Sequence, residues 1–194
     1  MKKIIGLIVV AVVCAGVICG AFYLTAQRSK NQAQNVETLT EVQKIITKNL
    51  DTKYPKTPRE VIKLYNRIIT AYYGETYTEE EFKQLADQAQ KLMDEELLAQ
   101  NQDDVYISKL SAEIKEYKEK KKKITQSSVC DSNSVKYVND GDDEIAYVTS
   151  SYFIKEGNSY QRTYQEYVLR KDANQDWKIL VYYQIEGDSA GEDD

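Results

Sequence analysis

One stretch constrains this chain before any other. From Ile4 to Ala26 no residue carries a charge, and about 20 consecutive apolar residues are what a helix needs to cross the hydrocarbon core of a bilayer. Lys2 and Lys3 precede the run, and Arg28 and Lys30 come after it. The positive-inside count is therefore nearly even, and orientation rests on the short leading tail, whose lysines and amino terminus favour the cytoplasm. The expectation is a cytoplasmic tip and transmembrane helix over residues 1–26, at the cell membrane, with everything after it extracytoplasmic. A cleaved signal peptide is the alternative, since Cys19-Gly20-Ala21 offers small residues for a cleavage site. Against it, a signal-peptide apolar region is about 7 to 15 residues long, and this one continues through Phe22, Tyr23 and Leu24, with Tyr23 placed as an interfacial aromatic. Cys14 and Cys19 come after Val13 and Ile18 instead of a small residue, which argues against lipidation. Gly16 and Gly20 have the small-xxx-small spacing that packs membrane helices, a spacing more often incidental in a glycine-tolerant membrane segment; the dimer it would allow is a weak homodimer.

The chain beyond Ala26 is long enough for one domain with one core. The whole sequence holds 31 Asp and Glu against 26 Lys and Arg, a balance that speaks against a nucleic-acid partner. Cys130 is the one cysteine beyond the apolar run, so the exported part has no internal disulfide and depends on packing. There is no histidine, which removes the commonest general base, the commonest zinc ligand and every Ser-His or Cys-His pair. Asp172-Ala173-Asn174-Gln175-Asp176 opens like a calcium loop, but Trp177 stands where the loop needs glycine and Tyr183 where it needs the bidentate glutamate; it reads as a hairpin turn. Asp140, Asp142, Asp143 and Glu144 likewise read as an acidic turn. No cofactor and no metal are expected.

Residues 27–53 read as a polar tether that carries a short amphipathic helix, capped by Thr38 with Glu41 and striped by Leu39, Val42, Ile45, Ile46 and Leu50. Residues 54–187 read as the folded domain. Thr57-Pro58-Arg59-Glu60 is a capping box with proline in the first turn, and the stripe Val61, Leu64, Tyr65, Ile68, Ile69, Tyr72 runs to Gly74. Thr78 with Glu81 repeats the box, Tyr77 and Phe82 have staple spacing, and Leu85 to Leu97 continue that helix to about Ala99. Ile107, Leu110, Ile114 and Tyr117 mark another helix, which ends in a solvated lysine run.

From Val129 the pattern becomes β-rich: Val135 to Val138, Glu144 to Lys155, Tyr160 to Arg170 and Trp177 to Glu186. A bulge is expected at Ser150-Ser151. In the last strand Trp177, Ile179, Val181, Tyr183 and Ile185 alternate onto one face, which should lie on the helices. The tail over residues 188–194 is acidic and reads as disordered. Helices succeeded by antiparallel strands give an α+β fold, the helices packed on a curved antiparallel sheet.

The helix from Pro58 to Tyr73, the helical middle and the closing Tyr167-Val168-Leu169-Arg170, turn, Trp177-Lys178-Ile179-Leu180 hairpin resemble the cystatin-like, nuclear transport factor two-like superfamily over about residues 54–187. That resemblance implies a cone whose mouth serves as a binding or active site, with Tyr152, Arg162, Tyr164 and Glu166 as residues that would line it. It brings no catalytic motif, and cross-strand pairing accounts for the same four residues. The expectation is a membrane-anchored, extracytoplasmic, non-catalytic binding or protein-interaction module with a partner in the cell envelope. One alternative is an enzyme that uses the cone mouth as an acid–base pocket. The other is an assembly factor of a secretion or conjugation machine, which shares the layout of short tail, single span and cone.

Overall fold

The computed structural model describes residues 39–101 and 103–187. The apolar run from Ile4 to Ala26, the cap expected at Thr38 and the acidic tail lie outside them. Among the described residues no helix is long and apolar enough to cross a membrane.

Among the described residues five α-helices come first. In α1 (Glu41–Ile46) the Thr40 hydroxyl accepts from Gln43 N–H while the Gln43 side chain accepts from Thr40 N–H. The box therefore sits two residues later than Thr38–Glu41 spacing predicts. In α2 (Pro58–Gly74) and α3 (Glu79–Gln90) the boxes at Thr57/Glu60 and Thr78/Glu81 form as the sequence indicates, and the Tyr77 and Phe82 rings stack with centroids 6.0 Å apart. The Tyr77 hydroxyl also donates to the Tyr72 carbonyl, fixing the turn between these helices.

The expected tether is corrected at this point. The compact unit begins at Thr40: Val42, Ile45 and Leu50 are buried in the same core as α2 and α3, and the Gln88 amide donates to the carbonyls of Ile46 and Lys48. A helix this short is unstable alone; it persists because its apolar side is covered.

The helix expected from Thr78 to Ala99 is two helices. After Gln90 the chain extends, Met93 bridges Ile179 in parallel, Ile179 N–H donates to Leu92 C=O and Asp94 N–H to Ile179 C=O, both at 2.8 Å. Asp94 then caps α4 (Glu95–Gln100) through Glu96 N–H. Leu92, Met93 and Leu97 have helical spacing, but satisfying the edge of a strand overrides it. Helix α5 (Asp103–Glu119) comes next.

The strands are β1 (Lys122–Val129), β2 (Lys136–Asp140), β3 (Asp143–Glu156), β4 (Ser159–Lys171) and β5 (Trp177–Ile185). They form one antiparallel sheet in which β3 pairs β4 and β4 pairs β5, while β1 and β2 share the remaining edge of β3. β1 runs along Ser150–Glu156 and β2 along Asp143–Tyr147. The sequence pattern does not reveal β1, because of its side chains only Ile124 is fully buried and the preceding lysines read as a helix end. Two-residue turns join β2 to β3 and β3 to β4, with Gly141 at φ 62° and Gly157 at φ 59°; a positive φ at the first loop position is the glycine-favouring hairpin geometry.

Two face assignments also change. The β3–β4 register runs without interruption past Ser150-Ser151, so no bulge is there: Ala146, Val148, Ser150 and Tyr152 alternate onto the helix side, and Ser150 is a polar residue tolerated inside because it is bonded. The bulge is at Leu180, where Val168 pairs Val181 and Leu169 pairs Ile179. It swaps the faces of β5 midway. Trp177 and Ile179 are buried against the helices, but beyond the bulge it is Tyr182, itself 40% exposed, whose ring meets Tyr65 and Tyr167, while Val181 and Tyr183 are 43% and 45% exposed. The sheet curves strongly: Tyr137 on β2 meets Trp177 on β5 edge-on at 5.8 Å, although two strands spaced about 4.8 Å apart lie between them.

Candidate functional site

The face of the sheet that α2 covers is apolar near Trp177 and polar at the opposite end. At the apolar end Val61, Ile62, Ala146, Leu169 and Ile179 belong to one buried cluster. Toward the other end the inward positions turn polar. Asn66 on α2 is 2% exposed, and its amide donates to Ser150 Oγ at 2.7 Å, which donates to the Ser128 carbonyl at 2.8 Å. The Tyr152 hydroxyl bonds Asn66 Oδ1 and the Tyr167 hydroxyl, and the Tyr167 hydroxyl meets the Gln165 side-chain amide at 2.7 Å. Two phenols carry two protons for these three contacts. The chain is fully satisfied when Gln165 presents its N–H₂ to Tyr167, a half-turn about its last bond, so that donation runs Gln165 to Tyr167 to Tyr152 to Asn66.

Beyond this chain of hydrogen bonds opens a cavity of about 390 Å³ between α2, α5 and the inner faces of β1, β3, β4 and β5. From α2 come Tyr65, Ile69, Tyr72 and Tyr73, from α5 Tyr106, Lys109, Leu110, Glu113 and Tyr117, and from the sheet Ile124, Tyr152, Ile154, Thr163, Gln165, Tyr182 and Gln184. Helical spacing places Tyr65, Ile69 and Tyr72 on one side of α2, and period-two alternation places Tyr152 and Ile154, or Thr163 and Gln165, on one side of their strands. Lys109 and Glu113 are exposed at the rim.

The interior is uncharged. Burial pushes the Tyr152 and Tyr106 hydroxyls up to about 12, and those of Tyr65, Tyr72 and Tyr167 are raised as well, each chiefly by burial. Tyr73 is raised by burial and then by its hydrogen bond to Glu113, into whose carboxylate it donates at 2.7 Å. Its ring lies against Tyr117 at 4.4 Å. The Tyr72 hydroxyl, in a residue 2% exposed, faces Tyr106 but makes no hydrogen bond of good geometry, and neither does the buried Thr70 hydroxyl on the same helix.

The four residues singled out from the sequence do not converge. Tyr152 lines the cavity. Arg162 and Tyr164 line an adjoining, more open cleft of about 600 Å³ at the β4–β5 end with Gln161 and Glu186, and this cleft shares Thr163 and Gln184 with the cavity; there the Arg162 guanidinium covers the Phe153 ring at 4.7 Å. Glu166 stands opposite Tyr183 and lines neither. The cavity residues that sequence reasoning missed, Tyr65, Tyr72, Tyr73, Tyr106, Tyr117 and Tyr182, carried one signal: an excess of tyrosine, 16 in the chain.

Among the described residues no group of three His, Cys, Asp or Glu side chains is placed to hold a metal. The acids of the turns are engaged elsewhere: Asp143 and Glu144 pair with Arg170 and Lys171, and Asp172 accepts from the backbone N–H groups of Asn174 and Asp176 within its own turn.

The chain belongs to the family described as Domain of unknown function (DUF6715), whose pattern it matches over residues 1–182. No curated protein matches it.

Proposed function

We propose that this chain is a membrane-anchored, extracytoplasmic, non-catalytic binding module. On this reading residues 4–26 hold it in the cell membrane and a cone of the cystatin-like, nuclear transport factor two-like kind receives a ligand or a partner's side chain in its mouth. One observation carries the reading: the tyrosine-lined cavity of about 390 Å³. It is within the usual size of small-molecule sites, about 300 to 1,000 Å³. Its walls are aromatic rings for contact area and neutral hydroxyls and amides for orientation, the mixture that gives specific binding at low entropic cost.

The test is thermal melting of the full chain against a small-molecule library, with Ile69→Trp as control. Ile69 is half-buried on the cavity wall, so an indole there fills the space. The reading expects at least one compound that raises the melting temperature of the native chain and not of the Ile69→Trp variant. Stabilisation that survives the cavity-filling substitution would move the site elsewhere.

The 2.7 Å bond between Tyr73 and Glu113 supports a second reading, in which this pair at the mouth does acid–base work. Under it, Glu113→Gln abolishes a turnover that the native chain performs on a bound compound; under the first reading the substitution alters affinity alone.

A further inference from the structure

The chemistry of the cavity narrows what it takes. We infer that it is a site for a neutral sugar of one or two rings, stacked on tyrosine rings with its hydroxyl groups met by the buried Tyr72 hydroxyl and the Gln165 and Gln184 amides. This rests on the binding-module reading and deepens it.

Four features exclude the neighbouring classes. No charged side chain lies in the interior, since Lys109 and Glu113 are exposed at the rim; a phosphate, nucleotide or free carboxylate would be desolvated there without a counter-charge. An aliphatic chain would strip water from the polar groups of Thr163, Gln165, Gln184 and the tyrosines and return no hydrogen bonds. A peptide that binds by adding a strand needs an open edge to pair with, and this cavity is walled by strand faces and helix sides. Its volume of about 390 Å³ equals about a dozen waters at ~30 Å³ each, which holds one or two six-membered rings and little more.

A sugar fits each remaining feature. Its C–H faces pack on phenol rings, such as the Tyr73 and Tyr117 pair at 4.4 Å. Its hydroxyls both donate and accept, as the lining amides and phenols do. The Tyr72 hydroxyl is the specific pointer: more than nine-tenths buried on the cavity wall and facing the Tyr106 hydroxyl with no hydrogen bond of good geometry, it is a polar group that a ligand hydroxyl or ring oxygen would satisfy better.

The experiment uses the full chain in lipid nanodiscs, free of glycoside detergent, and saturation-transfer difference NMR. The probes are glucose, N-acetylglucosamine, cellobiose and N,N′-diacetylchitobiose in one arm, the tripeptide Gly-Leu-Tyr in a second and octanoate in a third. The expected result is saturable binding of at least one sugar. It weakens about five- to tenfold, the worth of one hydrogen bond, in Tyr72→Phe, which melts close to the native chain because the contact of the lost hydroxyl with Tyr106 is of poor geometry. Gln184→Ala, at an exposed position, should weaken it similarly without risk to folding. Sugar binding that neither variant weakens would overturn the assignment to this cavity. Silence in the sugar arm with peptide or octanoate binding, lost in Ile69→Trp, would overturn the sugar class and leave the binding module standing. Silence in all three arms would overturn both.

Discussion

The tyrosines that build the cavity also set how the fold fails in alkali. Tyr65, Tyr72, Tyr152 and Tyr167 are all buried, and burial raises each hydroxyl well above its ordinary value, that of Tyr152 to about 12. In the unfolded chain a tyrosine ionises near pH 10. A group whose pKa is raised by folding contributes its stability below the unfolded value and loses it as pH rises from there through the folded value. Each of these four should therefore cost ~1.4 kcal/mol for every pH unit above 10. At pH 11 the four together come to about 5.6 kcal/mol, comparable to the whole stability of an ordinary domain. We expect cooperative unfolding between about pH 10.5 and 11.5, monitored by circular dichroism at 222 nm together with phenolate absorbance at 295 nm. The last part of the absorbance rise should coincide with the loss of ellipticity, because the buried hydroxyls ionise only when exposed. Full tyrosine ionisation while the ellipticity is intact would refute the burial on which the site rests.

Asn66→Ala strands Ser150 and Tyr152 in the interior and should cost about 2 to 4 kcal/mol in denaturant melts; no loss would mean that water already enters the network. Trp177, 6% exposed, should emit blue-shifted fluorescence that resists quenching, and Trp177→Ala should cost about 3 to 5 kcal/mol; emission like that of free tryptophan would contradict its burial. Protease added to intact protoplasts should remove the folded body, and its protection, or its release with a new amino terminus near Phe22, would contradict the anchored orientation.

How much of the fold is legible in the sequence depends on how local the cause is. The boxes at Thr57 and Thr78 are decided within four residues and can be read directly, as can the turns at Gly141 and Gly157. The helix break at Asp94 cannot, since its cause is the carbonyl of Ile179, more than eighty residues away. The faces of β5 are hidden for the same reason: alternation from Trp177 to Ile185 is regular on paper, and only pairing with β4 places an extra residue at Leu180. Ser150 interrupts the apolar pattern of its strand, yet it is one end of a buried bond to Asn66, a partner that spacing cannot reveal. The cavity escapes the sequence in a similar way. Its tyrosines come from α2, α5, β3 and β5, and their abundance shows in the composition while their convergence depends on how far the sheet curves.

The most direct test of the central claim, that the tyrosine-lined cavity is where this protein binds, is ¹⁹F NMR of the full chain labelled with fluorotyrosine and titrated with the strongest stabiliser from the library screen. Resonances are assigned by single Tyr→Phe substitutions. Binding in the cavity predicts that Tyr72, Tyr73, Tyr106 and Tyr182 shift together with one affinity while Tyr160 and Tyr183, exposed outside the cavity, stay where they are. Shifts confined to Tyr160 and Tyr183, with the cavity resonances unmoved, would contradict it.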